Sequence, residues 1–463
     1  MKATFQYKII RAVCISAIAV IAGACEDFLE VGTPKTEITG ITVFSNDASA
    51  QSAIRGIYSL MMSNPGFVKG ELERFTGISS DELITYSSNN EHQQFAQPAL
   101  LTTNSIVLTS FWSEAYKYIS NANAILEGLD HSKGLTPRLK DQIQGEALFV
   151  RAYCHFYLVN LFGGVPYVKT TDYKTNSMLQ REEVSDVYKK IIQDLLEAKS
   201  LMSNDFSYSN EERVQPNKGA ATALLARVYL YSSDWVNAEA MADEMIGNNS
   251  LYSLVDLDEV FLPNSKESIW QLKPVVPGSN TPQGQLFILT DNPSNTFGAV
   301  SLSEDFVNSF QTNDDRRSKW VNEYSDGTTF YFPFKYKYSN EDELFEYSMV
   351  LRLGEQYLIR AEARAKLNKL SEAISDINAV RSRAGLNPIA TATNDELLQI
   401  IEIERKFELF AEGGHRWLDL KRTQRASAVL SPMKQDWQQD DELYPIPQSE
   451  RAINPALSQN SGY

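Results

Sequence analysis

Basic charge, cysteine and long apolar runs are all scarce in this 463-residue chain. It carries 43 Lys and Arg against 59 Asp and Glu, so a nucleic-acid backbone would meet a surface of its own sign. Nucleic acid is excluded as a partner on that ground, and so is electrostatic adhesion to anionic lipid. The four histidines (His92, His131, His155, His415) are scattered. There is no His-Glu-x-x-His, no Gly-x-Ser-x-Gly, no phosphate loop and no CxxC pair, and the reading is of a non-catalytic chain with neither metal nor cofactor. The three cysteines are Cys14, Cys25 and Cys154.

The one notable apolar run, Ala12 to Ala24, follows Lys2, Lys8 and Arg11. It is shorter than the roughly 20 residues that span a bilayer, and it ends in small residues at Ala22-Gly23-Ala24-Cys25. That pattern predicts a secretory signal over residues 1–24 with a cut before Cys25. The cysteine resembles the lipid acceptor of a bacterial lipoprotein, although Ala22 stands where such signals usually have Leu, Val or Ile. The mature chain then has 40 basic and 59 acidic side chains and a net charge of −19. Its one remaining unmodified cysteine, Cys154, can close no disulfide within the chain, so a large core must hold an exported protein together.

Helical periodicity dominates what is present. Residues 47–62, 110–129, 138–161 and 184–202 each carry an apolar stripe, and Gly163-Gly164 followed by Pro166 stops the third. Two later segments repeat one spacing, Ala226…Trp235…Ala238 and Ala361…Leu370…Ala373. Each reads as a helix pair brought close by small alanines, similar to a tetratricopeptide unit. Two irregular regions, residues 76–109 and 264–345, are rich in turn formers with interspersed aromatics. Long ordered loops on a rigid scaffold are where binding residues concentrate.

Several motifs in order resemble the SusD-like (RagB/SusD) nutrient-binding lipoproteins of Bacteroidetes. They include Cys25-Glu26-Asp27-Phe28-Leu29, Trp112…Tyr116…Asn123, Glu146 to Tyr153, Leu161-Phe162-Gly163-Gly164-Val165-Pro166, Arg352 to Ala363, Glu404 to Phe410, Gly413 to Arg422, and Tyr444-Pro445-Ile446-Pro447. The resemblance implies a mainly α, SusD-like fold, in which tetratricopeptide-like helix pairs support long irregular loops and a few short strands. It implies an N-terminal region over 25–230 and a C-terminal one over 231–463, forming one compact mature unit. It also implies a lipoprotein on the outer face of the outer membrane that captures oligosaccharides, or peptides in the RagB branch, and caps a SusC-like, TonB-dependent barrel transporter. A lipid-anchored glycoside hydrolase with a carboxylate pair and a helical protein-binding adaptor are the rivals from other classes.

Sugar rings stack on aromatics, while amides, carboxylates and His or Arg groups bind the hydroxyls. The nominated ligand residues are therefore Asp81, Tyr86, His92 and Phe95 from the first irregular region, and Phe287, Asn292, Phe297 and Trp320 from the second. Alternation in residues 330–338 puts Phe330, Phe332, Phe334, Tyr336 and Tyr338 on one strand face, which reads as core on an edge strand. Asp314-Asp315-Arg316-Arg317 reads as a surface ion-pair cluster. Glu404, Arg405, Glu408, Arg416 and Asp419 read as buried, paired charges that tie the C-terminal helix to the scaffold.

Overall fold

The computed structural model describes residues 43–463 apart from 64 and 65. The signal stretch and Cys25 lie outside the described residues. The main helices are α1 (Asp47–Ser63), α2 (Leu72–Ser79), α3 (Asn90–Ala96), α4 (Glu114–Asp130), α5 (Pro137–Phe162) and α6 (Val184–Leu201). They continue as α7 (Lys218–Tyr231), α8 (Trp235–Gly247), α9 (Leu353–Lys366), α10 (Leu370–Arg383), α11 (Asn394–Leu409) and α12 (His415–Arg422). The four helices read from apolar periodicity are α1, α4, α5 and α6. A π-helical turn, Val107–Ser113, leads into α4 and was not legible.

Helix α5 is the centre of the molecule because nearly every face of it is apolar. Proline at its first position costs no hydrogen bond, and Gly163 ends it with φ +73° while donating to the Val159 carbonyl. Neighbours in sequence are neighbours in space along α4, α5, α6, α7, α8, α9, α10. The α8–α9 contact is made although residues 248–352 intervene. The repeated alanines Ala226, Ala238, Ala361 and Ala373 are all fully buried where the paired helices meet. The repeat extends to the turns. Ser233 and Asn368 both sit at positive φ, and the next residues, Asp234 and Lys369, donate to the Tyr229 and Arg364 carbonyls. Both helices thus close on the same Schellman turn.

The strands form three two-stranded antiparallel sheets, five of the six strands lying in the long insert. β1 (Leu83–Thr85) pairs with β3 (Val300–Leu302), β2 (Ser268–Leu272) with β6 (Ser348–Arg352), and β4 (Val321–Ser325) with β5 (Thr329–Pro333). The first pairing matters most for function, since it joins the two irregular regions edge to edge. Ser303 reinforces it by donating its amide to the Glu82 carbonyl and its hydroxyl to the Asp81 carbonyl.

Two expectations about charge are resolved here. The C-terminal acids and bases are buried and paired, with Arg405 forked on Asp419 and Arg416 forked on Asp81. The Asp314–Arg317 cluster is not a surface feature throughout. Arg316 is sealed in the interior, held by Asp314, Glu404 and Glu408, because Asp314 caps a short helix that aims its side chain inward. Cys154 is buried and free.

Candidate functional site

Five of the eight nominated residues are buried: Trp320, Phe95, Phe287 and Asp81, which are committed to interior partners, and His92, which lies against the exposed Phe297. Trp320 has no exposure at all, and its indole N–H donates to the Leu257 carbonyl at 3.0 Å. Phe95 packs between Phe75, Phe111 and Tyr444 at centroid distances of 4.6, 6.3 and 5.5 Å. Phe287 is buried at the end of the helix Pro282–Phe287. Asp81 is a buried partner of Arg416; burial opposes its ionisation, but the hydrogen bonds and charge of Arg416 win and hold its carboxyl low. The three aromatics join the main hydrophobic core and pin their loops to the scaffold, while Asp81 is buried because Arg416 pairs it.

His92 and the other three come together. Phe297 stands 81% exposed on the loop before β3, with the His92 ring 5.5 Å away. His92 is itself covered, edge-on to Phe75, and its Nδ1 has no hydrogen-bond partner. Burial first, and the Arg74 charge second, push its imidazole below the ordinary range, so it is neutral. Tyr86 shares a hydrogen bond with the Ser301 hydroxyl at 2.9 Å and sets its ring against Phe330. Asn292 caps the turn Pro293–Asn295 and donates its side-chain amide to Asp326 at 2.9 Å, tying the Phe297 loop to the β4–β5 turn.

These contacts form a circuit. From His92 it passes to Phe297, along the loop to Asn292, across to Asp326, and through the β4–β5 hairpin to Phe330. From there Tyr86 and Ser301 close it back onto β1 and β3. Gly298 fixes the aromatic at its base. It adopts φ +74°, a Cβ there would stand 2.7 Å from the Arg74 guanidinium, and its carbonyl accepts from Arg74. Ile84, half exposed, lies directly opposite Ser301 and adds apolar surface beside Tyr86. The strip thus combines one open aromatic face with amides, hydroxyls and carboxylates.

Sequence reasoning missed Arg74, Ile84, Asp291 and Asp326. The Asn292-Pro293-Ser294-Asn295 turn followed by Phe297-Gly298 was the available signal, an aromatic raised on a glycine. The aromatic run at 330–338 divides. Phe332 and Tyr336 are buried as expected, while Phe330 is only half covered and faces Tyr86. β5 pairs with β4 alone, as Pro333 at its end suggested.

Concave pockets occur elsewhere, one of about 260 Å³ beside α1 and one of about 200 Å³ between α9, α11 and α12. Neither holds a nominated residue. The strip is the better candidate because it sets the exposed Phe297 beside hydrogen-bonding groups. Among the described residues no cluster of His, Cys, Asp and Glu could hold a metal, and no helix is long and apolar enough to cross a membrane.

Adjacent acids in this region have opposite electrostatics. Asp81 is held low by Arg416, whereas Glu82 is buried with one oxygen unpartnered, and desolvation raises its carboxyl to about 8, helped by Asp81. The folded chain therefore binds a proton there that the unfolded chain releases above its ordinary value near 4.5. Stability from this group is present below that pH and falls as pH rises toward 8. Glu82→Gln should remove the dependence. The difference in unfolding free energy, variant minus parent, should climb by about 1.4 kcal/mol per pH unit across that window. Urea titrations over pH check it, and a flat difference refutes it.

Paired helices carrying sheet-braced loops, with an open aromatic on those loops, define a scaffold-and-loop architecture. The comparisons give it a family. Residues 27–230 match a family described as "Starch-binding associating with outer membrane", and residues 329–463 match the SusD family. SusD-like protein P25 of Formosa agariphila is 26% identical, with 95% of this chain and 97% of the relative aligned. A SusD superfamily protein from Bacteroides vulgatus superposes with a TM-score of 0.80 at 21% identity, covering 91% of this chain and all of that one. A laminarin-binding SusD-like protein does so with a TM-score of 0.76 at 24% identity, again over 91% of this chain and 100% of its own. Surface glycan-binding protein A from Bacteroides fluxus gives 0.75 at 22%, over 90% and 100%. The chain belongs to the SusD/RagB family, and its fold is the mainly α, SusD-like one expected from the sequence.

Proposed function

We propose that this protein is a non-catalytic, surface-exposed lipoprotein of the outer membrane. It binds nutrient oligosaccharides on the strip around Phe297 and delivers them to a SusC-like, TonB-dependent transporter. The single observation that carries the binding role is Phe297, a large aromatic left open to solvent on a loop fixed by Gly298, Asn292 and β3. An exposed aromatic of this kind stabilises a sugar ring by stacking, and Tyr86, Asn292 and Asp326 supply hydrogen-bonding groups around it. The names of the laminarin-binding and glycan-binding fold relatives, and the outer-membrane description of the matching family, support the same reading. Lipid on Cys25 would provide the anchor.

Calorimetric titration of a panel of oligosaccharides tests the binding role. Phe297→Ala should weaken the tightest ligand by up to about tenfold, the size of a lost stacking contact. Its melting temperature should stay within a degree or so, because an exposed side chain contributes little to stability. Unchanged affinity in the variant would remove the strip from the site. The intact ligand should be recovered after long incubation, and products appearing would overturn the non-catalytic reading. Mass spectrometry of detergent-extracted protein should find Cys25 as the lipid-bearing first residue, and an unmodified cysteine there would overturn the anchor.

A further inference from the structure

The charge around the strip narrows the ligand beyond "oligosaccharide". Asp291 and Asp326 are both exposed, and among the described residues neither forms an ion pair. Their bonded oxygens serve the loop. Asp291 Oδ1 accepts from the Asn292 backbone amide at 2.7 Å and the Asn295 side chain at 3.3 Å, and Asp326 Oδ2 accepts from Asn292. Each carboxylate keeps a second oxygen outside those bonds, suited to a sugar hydroxyl. Both carboxylates also act on Tyr324, whose phenol is raised by desolvation and then by Asp326 and Asp291. Tyr324 stands opposite Phe330 in the hairpin, so the two negative charges belong to the strip and not to a distant rim.

Positive charge at the open aromatic is committed elsewhere, and Arg317 lies over the Tyr331 ring at 5.0 Å, on the face of β5 opposite Phe330. The guanidinium against the Phe297 loop, Arg74, is almost covered. Its Nη2 lies 2.6 Å from both oxygens of Glu71, and its Nη1 donates to the Gly298 carbonyl. It has no free fork for a sulfate or carboxylate. His92, the other basic side chain at the aromatic, is neutral. The remaining polar groups, Asn292, Asn295, Tyr86 and Ser301, are uncharged.

We infer that the strip selects oligosaccharides without acidic groups and turns away uronate-rich and sulfated chains, because a ligand anion stacked on Phe297 would face Asp291 and Asp326 with no free cation among the described residues at that aromatic to meet it. This selection rests on the strip being the glycan site. Two carboxylates facing one ligand anion across a few ångströms of water oppose it by about tenfold in affinity.

The test uses the full mature protein with length-matched neutral, uronate and sulfated oligosaccharides. Neutral chains should bind about tenfold tighter than acidic ones at low salt, with the gap closing at high salt as screening grows. The double substitution Asp291→Asn and Asp326→Asn should raise the acidic-to-neutral affinity ratio severalfold. Acidic chains binding as tightly as neutral ones at low salt, while Phe297→Ala still weakens binding, would overturn the selection and leave the site in place. Affinities for every oligosaccharide that are indifferent to Phe297→Ala would overturn the site itself, and the selection with it.

Discussion

Trp320→Ala should destabilise the fold by about 3–5 kcal/mol and leave the glycan affinity of the folded protein intact. From the sequence the opposite was expected, because Trp320 lies in an irregular region and tryptophan is a favoured sugar platform. The structure gives it no exposed atom to offer. Its ring is a floor for three buried cations, with Lys335, Arg352 and Arg383 at 4.6, 5.8 and 5.6 Å from the ring. Phe261 meets it edge-on at 5.8 Å. Truncation would open a cavity under charged groups that already depend on tight packing, and the Leu257 carbonyl would lose its donor. Urea denaturation and titration of the same variant separate the two effects. Lost binding with an unchanged unfolding midpoint would return Trp320 to the site.

The contrast between Phe95 and Phe297 shows what a single sequence can reveal here. Both phenylalanines sit among polar and small residues in segments without clear periodicity. One is buried between three rings and the other is open. The difference is made by distant partners: Tyr444 and Phe111 close over Phe95, while β1 pairing with β3 sets the loop that carries Phe297 beside the first region. No local pattern encodes a three-residue strand with a partner so far along the chain. Helices were legible because their burial repeats every three to four residues, and the repeated alanine spacing made the helix pairs legible but not the Schellman turns that close them. The buried Arg316 was missed for the reason that Phe95 was. Charged runs are solvated by default, and only distant partners such as Glu404 and Glu408 make an exception worth its desolvation.

Arg352→Met should be among the most destabilising substitutions in the chain, costing about 3–5 kcal/mol. Arg352 ends β6 just ahead of α9 and binds acids from three places. It reaches Glu267 at 2.8 Å, Glu408 at 2.6 Å and Glu412 at 2.7 Å, and also donates to the Glu408 carbonyl. Arg383 shares Glu267 and Glu408, and Lys335 shares Glu412. Removing the central cation leaves buried carboxylates short of charge, which costs more than the pair itself is worth. The pH dependence identifies the cause. Burial works against ionisation of Glu408 and Glu412, but Arg383, Arg352 and their neighbours hold both carboxyls below the ordinary value of 4.5. Their contribution is therefore present above that pH and lost as pH falls through the folded values. The variant's deficit should be full at neutral pH and narrow in acid, where the stranded carboxyls take up protons. Arg352→Lys keeps the charge without the fork and should fall between parent and Met variant. A deficit independent of pH would mean that lost packing, and not charge, is the cause.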